Sequence, residues 1–132
     1  MTSEEGRQLI AADTYTVTND LVAFHTSRCL ACDESWFPSR ERCAACGSRD
    51  VEAQELPGEG VVYACTFVRA GQPRFLPPYA LAYVDVGPIR LLTHCRSEAA
   101  LAPGTRVHFV QDQVGATDSD VLVSYVAEVV AS

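Results

Sequence analysis

Two Cys-x-x-Cys pairs constrain this chain more tightly than any other feature: Cys29-Leu-Ala-Cys32, ten intervening residues, then Cys43-Ala-Ala-Cys46. Each pair predicts a tight turn that gathers two thiolates on one side. Two such turns complete a tetrahedron around a metal at a Zn–S distance of about 2.3 Å. The residue after the second cysteine of each turn often needs positive φ, which Gly47 enters freely and Asp33 tolerates. Redox Cys-x-x-Cys motifs come singly, and disulfides belong to oxidising compartments, so both readings stand behind metal binding. Four thiolates leave no open coordination position. The expected cofactor is therefore one structural Zn2+ ion, not a Lewis-acid catalyst.

Charge narrows the function classes. All ten basic residues are arginine and the net charge is −7. Absence of lysine excludes Schiff-base chemistry and a P-loop lysine. From Arg28 to Arg49, four arginines face three acidic residues, so this stretch is +1 and the remainder −8. A locally basic ribbon on an acidic body suits an anionic ligand or partner there; solvated surface charge is the plainer alternative. No apolar run approaches the ~20 residues that span a bilayer. Met1 to Gly6 lacks the basic start and apolar stretch of a secretory signal, so the expectation is a cytoplasmic protein.

Residues 1–24 form an N-terminal segment, with weak helical character around Arg7 to Ala12. Thr14–Val17 and Leu21–Phe24, separated by a Thr-Asn-Asp turn, predict a short hairpin that feeds the first cysteine turn. A rubredoxin-like zinc ribbon is expected over 25–55, and Leu56-Pro-Gly-Glu-Gly60 marks a boundary. Strands follow at Val61–Val68, Tyr79–Val86, Ile89–Cys95, Thr105–Gln111 and Val121–Val129, with a polar loop over Asp112–Asp120. Ser97–Leu101 resembles one capped helical turn. Five strands with one short helix match an OB-fold barrel over 56–132, with an open antiparallel sheet as the alternative. The fold class is thus mainly β. Cys65 and Cys95 fall in strands and read as core packing. Trp36 and Phe37 lie between the cysteine pairs, where they either cover the metal or present an anchor to a partner.

These residues together resemble a known family: the zinc-ribbon/OB-fold proteins associated with acyl-CoA enzymes, long catalogued as a domain of unknown function. The resemblance covers roughly residues 25–129. It rests on Arg28-Cys29-x-x-Cys32, Phe37-Pro38-x-Arg40-x-x-Cys43-x-x-Cys46-Gly47-Ser48 and Gly58-x-Gly60-x-Val62-Tyr63-x-x-Thr66, with Pro78-Tyr79 and Pro103-Gly104 further on. Asp33 stands where glycine is usual, and the N-terminal segment is shorter than the long helix of many relatives. The resemblance implies a non-catalytic accessory subunit of a hetero-oligomer. Its partner would be a thiolase-fold enzyme (a thiolase, an acyltransferase or a retro-aldol lyase) acting on CoA thioesters. It also implies a contribution to the CoA site. Arginine grips phosphate bidentately, which makes Arg40, Arg42, Arg69 and Arg74 the candidates for CoA. Trp36, Phe37, Phe75 and Tyr79 are the candidates for partner contact, although Phe75 and Tyr79 could equally tuck into the barrel mouth.

Two other function classes fit this sequence less well. A nucleic-acid module would need a basic groove with stacking aromatics, and the predicted barrel is acidic. An autonomous enzyme would draw its base from His25, His94 or His108, yet no serine or cysteine has the context of an activated nucleophile.

Overall fold

The computed structural model describes residues 7–130; the Met1–Gly6 segment read above for targeting lies outside them. The helical character expected at Arg7–Ala12 is not realised. Arg7–Leu9 forms strand β1, and Ala12–Thr14 forms a 3-10 turn. Six residues are too few to offset helix nucleation, whereas a neighbouring strand edge supplies a ready ladder: Arg7, Gln8 and Leu9 pair in parallel with Val121, Leu122 and Val123. The expected hairpin is present as β2 (Tyr15–Thr18) and β3 (Leu21–Cys29). Asn19 and Asp20 turn it, both with left-handed φ (52° and 65°), as a two-residue primed turn demands.

β3 organises the ribbon. β2 and then β4 (Ser35–Trp36) take successive stretches of one edge, and β5 (Val51–Pro57) takes the other along Ala23 to Cys29. The chain then passes through Gly58 into β6 (Glu59–Val68), β7 (Tyr79–Val86), β8 (Ile89–Cys95), β9 (Arg106–Ala116) and β10 (Val121–Val129). These five strands close a barrel in the order β10-β8-β7-β6-β9, with β9 returning to β10. The β8–β10 closure is short and parallel: only Val126↔His94 and Ala127↔Cys95 are in register.

Two expectations about the barrel need correcting. Ser97–Leu101 is not helical. The Ser97 hydroxyl accepts from the Ala99 N–H and donates to the Ala99 carbonyl, closing a local turn that competes with a helix. The barrel's short helical element lies instead at Pro73–Phe75, a 3-10 turn. The predicted loop from Asp112 is largely strand, because β9 runs on to Ala116. Its polar side chains are satisfied there: Gln111 donates to the Tyr15 hydroxyl, Asp112 accepts from Arg96, and Gln113 donates to the Gly115 carbonyl.

β7 and β8 alternate cleanly, sending Ala80, Ala82, Val84, Val86, Ile89, Leu91 and Cys95 inward. The hairpin shares this core. Phe24, wholly buried, meets Phe109, Tyr125 and Phe37 edge-on at 4.8, 5.1 and 5.5 Å between ring centres, an arrangement aromatic quadrupoles favour. Gly58 seals the junction, donating to the Val22 carbonyl while its own carbonyl accepts from Phe109. A side chain at position 58 would collide with the Val22 backbone.

Candidate metal centre and partner surface

β3 delivers Cys29 at its last residue, and the two cysteine turns follow the same plan. The Asp33 N–H donates to the Cys29 carbonyl at 2.8 Å, and the Gly47 N–H to the Cys43 carbonyl at 2.9 Å. Asp33 (φ 69°) and Gly47 (φ 76°) both occupy the left-handed region, as the spacing predicted. The carboxylate of Asp33 also binds Arg28, which helps fix its turn. The Cys29 N–H to Glu34 and the Cys43 N–H to Ser48 each close their own turn, and the Leu30 N–H donates to the Asp50 carbonyl, tying the first turn to the chain that leaves the second.

All four sulfurs lie within 4.8 Å of one another, with Cys29–Cys46 at 3.6 Å and Cys32–Cys43 at 3.5 Å. A tetrahedron with 2.3 Å Zn–S bonds has edges of about 3.8 Å, so the residues fit a four-coordinate metal. Cys29 and Cys43 are buried, and Cys32 and Cys46 are exposed. Without a metal the four thiols cannot all ionise. The backbone N–H of Cys46 is the main influence holding Cys43 down, to about 6. For Cys32 the Glu34 N–H lowers the thiol, but Cys43, burial and the other sulfurs together push it up to about 12. Bound metal removes this conflict, since every ligand is then a thiolate.

The remaining candidates fall into two groups, one in the ribbon and one in the β6–β7 loop. In the ribbon, Arg40 stacks over Trp36 at 5.4 Å, and its Nε donates to the Arg42 carbonyl. Phe37 is half-buried against the core through Phe24 and Tyr125. In the β6–β7 loop, Arg69 stacks on Phe67 at 5.2 Å and Arg74 on Phe75 at 4.8 Å. Phe75 and Tyr79 meet edge-on, and Tyr79 stacks on His94 at 4.6 Å. Burial lowers the pKa of His94. A groove of about 450 Å³ runs beside this trio, bounded by Arg96 and Asp112. The other histidines are paired: His108 with Glu128 at 2.9 Å and His25 with Glu55 at 3.9 Å.

One surface escaped sequence reasoning. Tyr83 and Leu92 stand on the outer barrel face, 49% and 47% exposed, around an apolar groove of about 350 Å³ that Leu81 and Cys65 also line; Tyr63, 53% exposed, stands nearby with Arg90 stacked on it. A bulge at Tyr63, opposite Val84 and Tyr83, re-aims β6 and exposes this ring. Period-two patterning made both faces of β6 read as apolar and gave no sign of which would lie open.

Residues 53–111 match the family described as ChsH2, C-terminal OB-fold domain. A DUF35 domain-containing scaffold protein of Pyrococcus furiosus is 35% identical over 95 residues, covering 67% of this chain and 69% of the relative. The chain belongs to the DUF35 OB-fold family. Among solved structures, a chain of an Ltp2-ChsH2(DUF35) aldolase is similar at 29% identity with a TM-score of 0.57, covering 79% of this chain and 84% of that one. Coverage this broad reaches beyond the barrel, so the DUF35 likeness takes in part of the ribbon as well. Among the described residues, no helix is long and apolar enough to cross a membrane.

Proposed function

We propose that this protein is a cytoplasmic, non-catalytic accessory subunit that docks to and stabilises a thiolase-fold enzyme acting on acyl-CoA. The observation that carries the reading is the likeness, over most of both chains, to a component of an Ltp2-ChsH2(DUF35) aldolase, joined by the relative named as a scaffold. The metal centre is consistent with it. Four thiolates at the corners of a tetrahedron stiffen a ribbon and offer no site for substrate. When bound, a Zn2+ ion would be held by Cys29, Cys32, Cys43 and Cys46 and would supply rigidity.

The β6–β7 loop is the favoured CoA-facing element. It presents Arg69 and Arg74 for phosphates, and Phe75 and Tyr79 beside them for an apolar contact. Arg40 and Arg42, with Trp36, form a second basic patch on the ribbon. A nucleic-acid module gains no support: Tyr63 and Tyr83 share their face with Asp85, and Arg90 there is already bound to that carboxylate.

The test is affinity purification of the tagged protein from its native cells, with identification of what accompanies it. The expected result is a thiolase-fold protein in stoichiometric amount, with acyl-CoA turnover present in the complex and absent from this chain alone. Turnover by the isolated chain, or recovery of nucleic acid in place of an enzyme, would overturn the proposal.

A further inference from the structure

Trp36 has a buried indole Nε1, the one buried side-chain nitrogen or oxygen among the described residues with no hydrogen-bond partner. Native interiors rarely leave such a donor unused, because burial strips it of the hydrogen bond it would make to water. What the indole faces is sulfur: the Cys43 Sγ lies toward the Trp36 N–H and toward the backbone N–H groups of Ala45 and Cys46. β4 holds the ring in place, with Trp36 registered against Ser27 and the Arg40 guanidinium stacked on its outer face. A thiol is a weak acceptor. A thiolate is a strong one, and Cys43 is buried at 1% exposure where its charge most needs donors.

We propose that the Trp36 indole donates to the Cys43 thiolate of the metal-loaded ribbon and is a positioning residue for that ligand. Four thiolates around a divalent ion leave a surplus negative charge, and donors to the sulfurs spread it and orient the ligands. The two turns are unequal in this respect. Cys29, the other buried ligand, has only the N–H groups of Ala31 and Cys32 from its own turn, besides its fellow cysteines. The proposal rests on the four-thiolate reading of the site and needs no partner protein.

The experiment loads the whole chain with 113Cd2+ and looks for scalar coupling between the metal and the indole proton across the N–H···S bond. Trp36 is the single tryptophan, so the signal is unambiguous. The expected result is a resolved coupling and an indole proton protected from exchange with water. Trp36→Phe, which keeps an aromatic ring but removes the donor, should release Zn2+ to a chelator about tenfold faster. No coupling, with an indole proton exchanging as in free tryptophan, overturns the proposal even if Trp36→Phe fails to fold. An unchanged release rate in a folded Trp36→Phe protein overturns it as well. A chain that takes up no cadmium sinks the metal centre with it, while failure to find a partner enzyme bears only on the accessory-subunit reading.

Discussion

Phe24→Ala tests whether ribbon and barrel form one cooperative body. Phe24 is fully buried and touches three aromatic rings, two from the barrel and one from the ribbon. Removing a ring of this kind costs about 3–5 kcal/mol, from lost transfer energy and the cavity left behind. Three edge-on contacts place it near the middle of that range, at about 4 kcal/mol. With an unfolding entropy of about 2.1 cal/mol/K per residue, the 132-residue chain changes Tm by roughly 3.6 °C per kcal/mol. The expected drop is therefore about 14 °C. The assay is thermal and urea unfolding of the zinc-loaded protein, followed by far-UV circular dichroism, dominated by the barrel, and by emission from Trp36 in the ribbon. Both signals should move together. A loss below about 1.5 kcal/mol would show that the aromatic cluster closes up without cost. A Trp36 transition that stays put while the barrel melts earlier would refute the claim that β3 ties the two parts together.

Other predictions follow from the same geometry. Cys43→Ser should abolish tight zinc binding and partner binding while leaving barrel circular dichroism largely intact; a variant that keeps one zinc per chain by elemental analysis would show the ligand set to be wrong. Gly58→Ala drives a methyl into the Val22 backbone and should cost about 2 kcal/mol or more in urea melts, whereas equal stability would mean the junction can shift. His108 and Arg96 hold the Glu128 carboxyl below its usual value of 4.5. Burial would raise Asp112, but Arg96 and the Gln113 N–H more than offset it, leaving it below 3.8. A depressed folded pKa means stability that is present above the unfolded value and lost as pH falls through the folded one. Acid melts should therefore lose up to about 1 kcal/mol below pH ~4.5, given the exposure of these groups, and Arg96→Ala should flatten that loss.

What the sequence revealed and what it hid divide along physical lines. The two cysteine turns were legible to the residue, Asp33 included, because two thiols gathered on one side of a tight turn force a small set of backbone angles. Strands β7 and β8 were legible because period-two alternation and the Gly87-Pro88 turn between them both speak for them. The end of β9 was not. Gln111, Asp112 and Gln113 look like loop residues until Tyr15, Arg96 and Gly115 arrive from elsewhere in the chain to satisfy them. Ser97–Leu101 misled for a related reason, since the same serine that caps a helix can close a turn on its own. The shared core was hidden by the Pro and Gly cluster at 56–60. It punctuates the chain, yet β5 runs through to Pro57, and the single strand β3 carries Phe24 into the barrel core and Cys29 into the cysteine cluster.

The barrel closes between β8 and β10 with two residues in register, and one further bond from the Arg96 N–H to the Ala127 carbonyl. A fluctuation has few bonds to break there, so the interior becomes reachable from that side at a small fraction of the cost of global unfolding. Cys95 lies on this seam, its thiol pushed up to about 12 by burial and the neighbouring Cys65, and it is inert while the seam is shut. Its rate of alkylation is then a clock for the opening. In the zinc-loaded protein that clock should run faster than the global unfolding rate and respond less steeply to urea, which would mark this side as the one through which the barrel breathes.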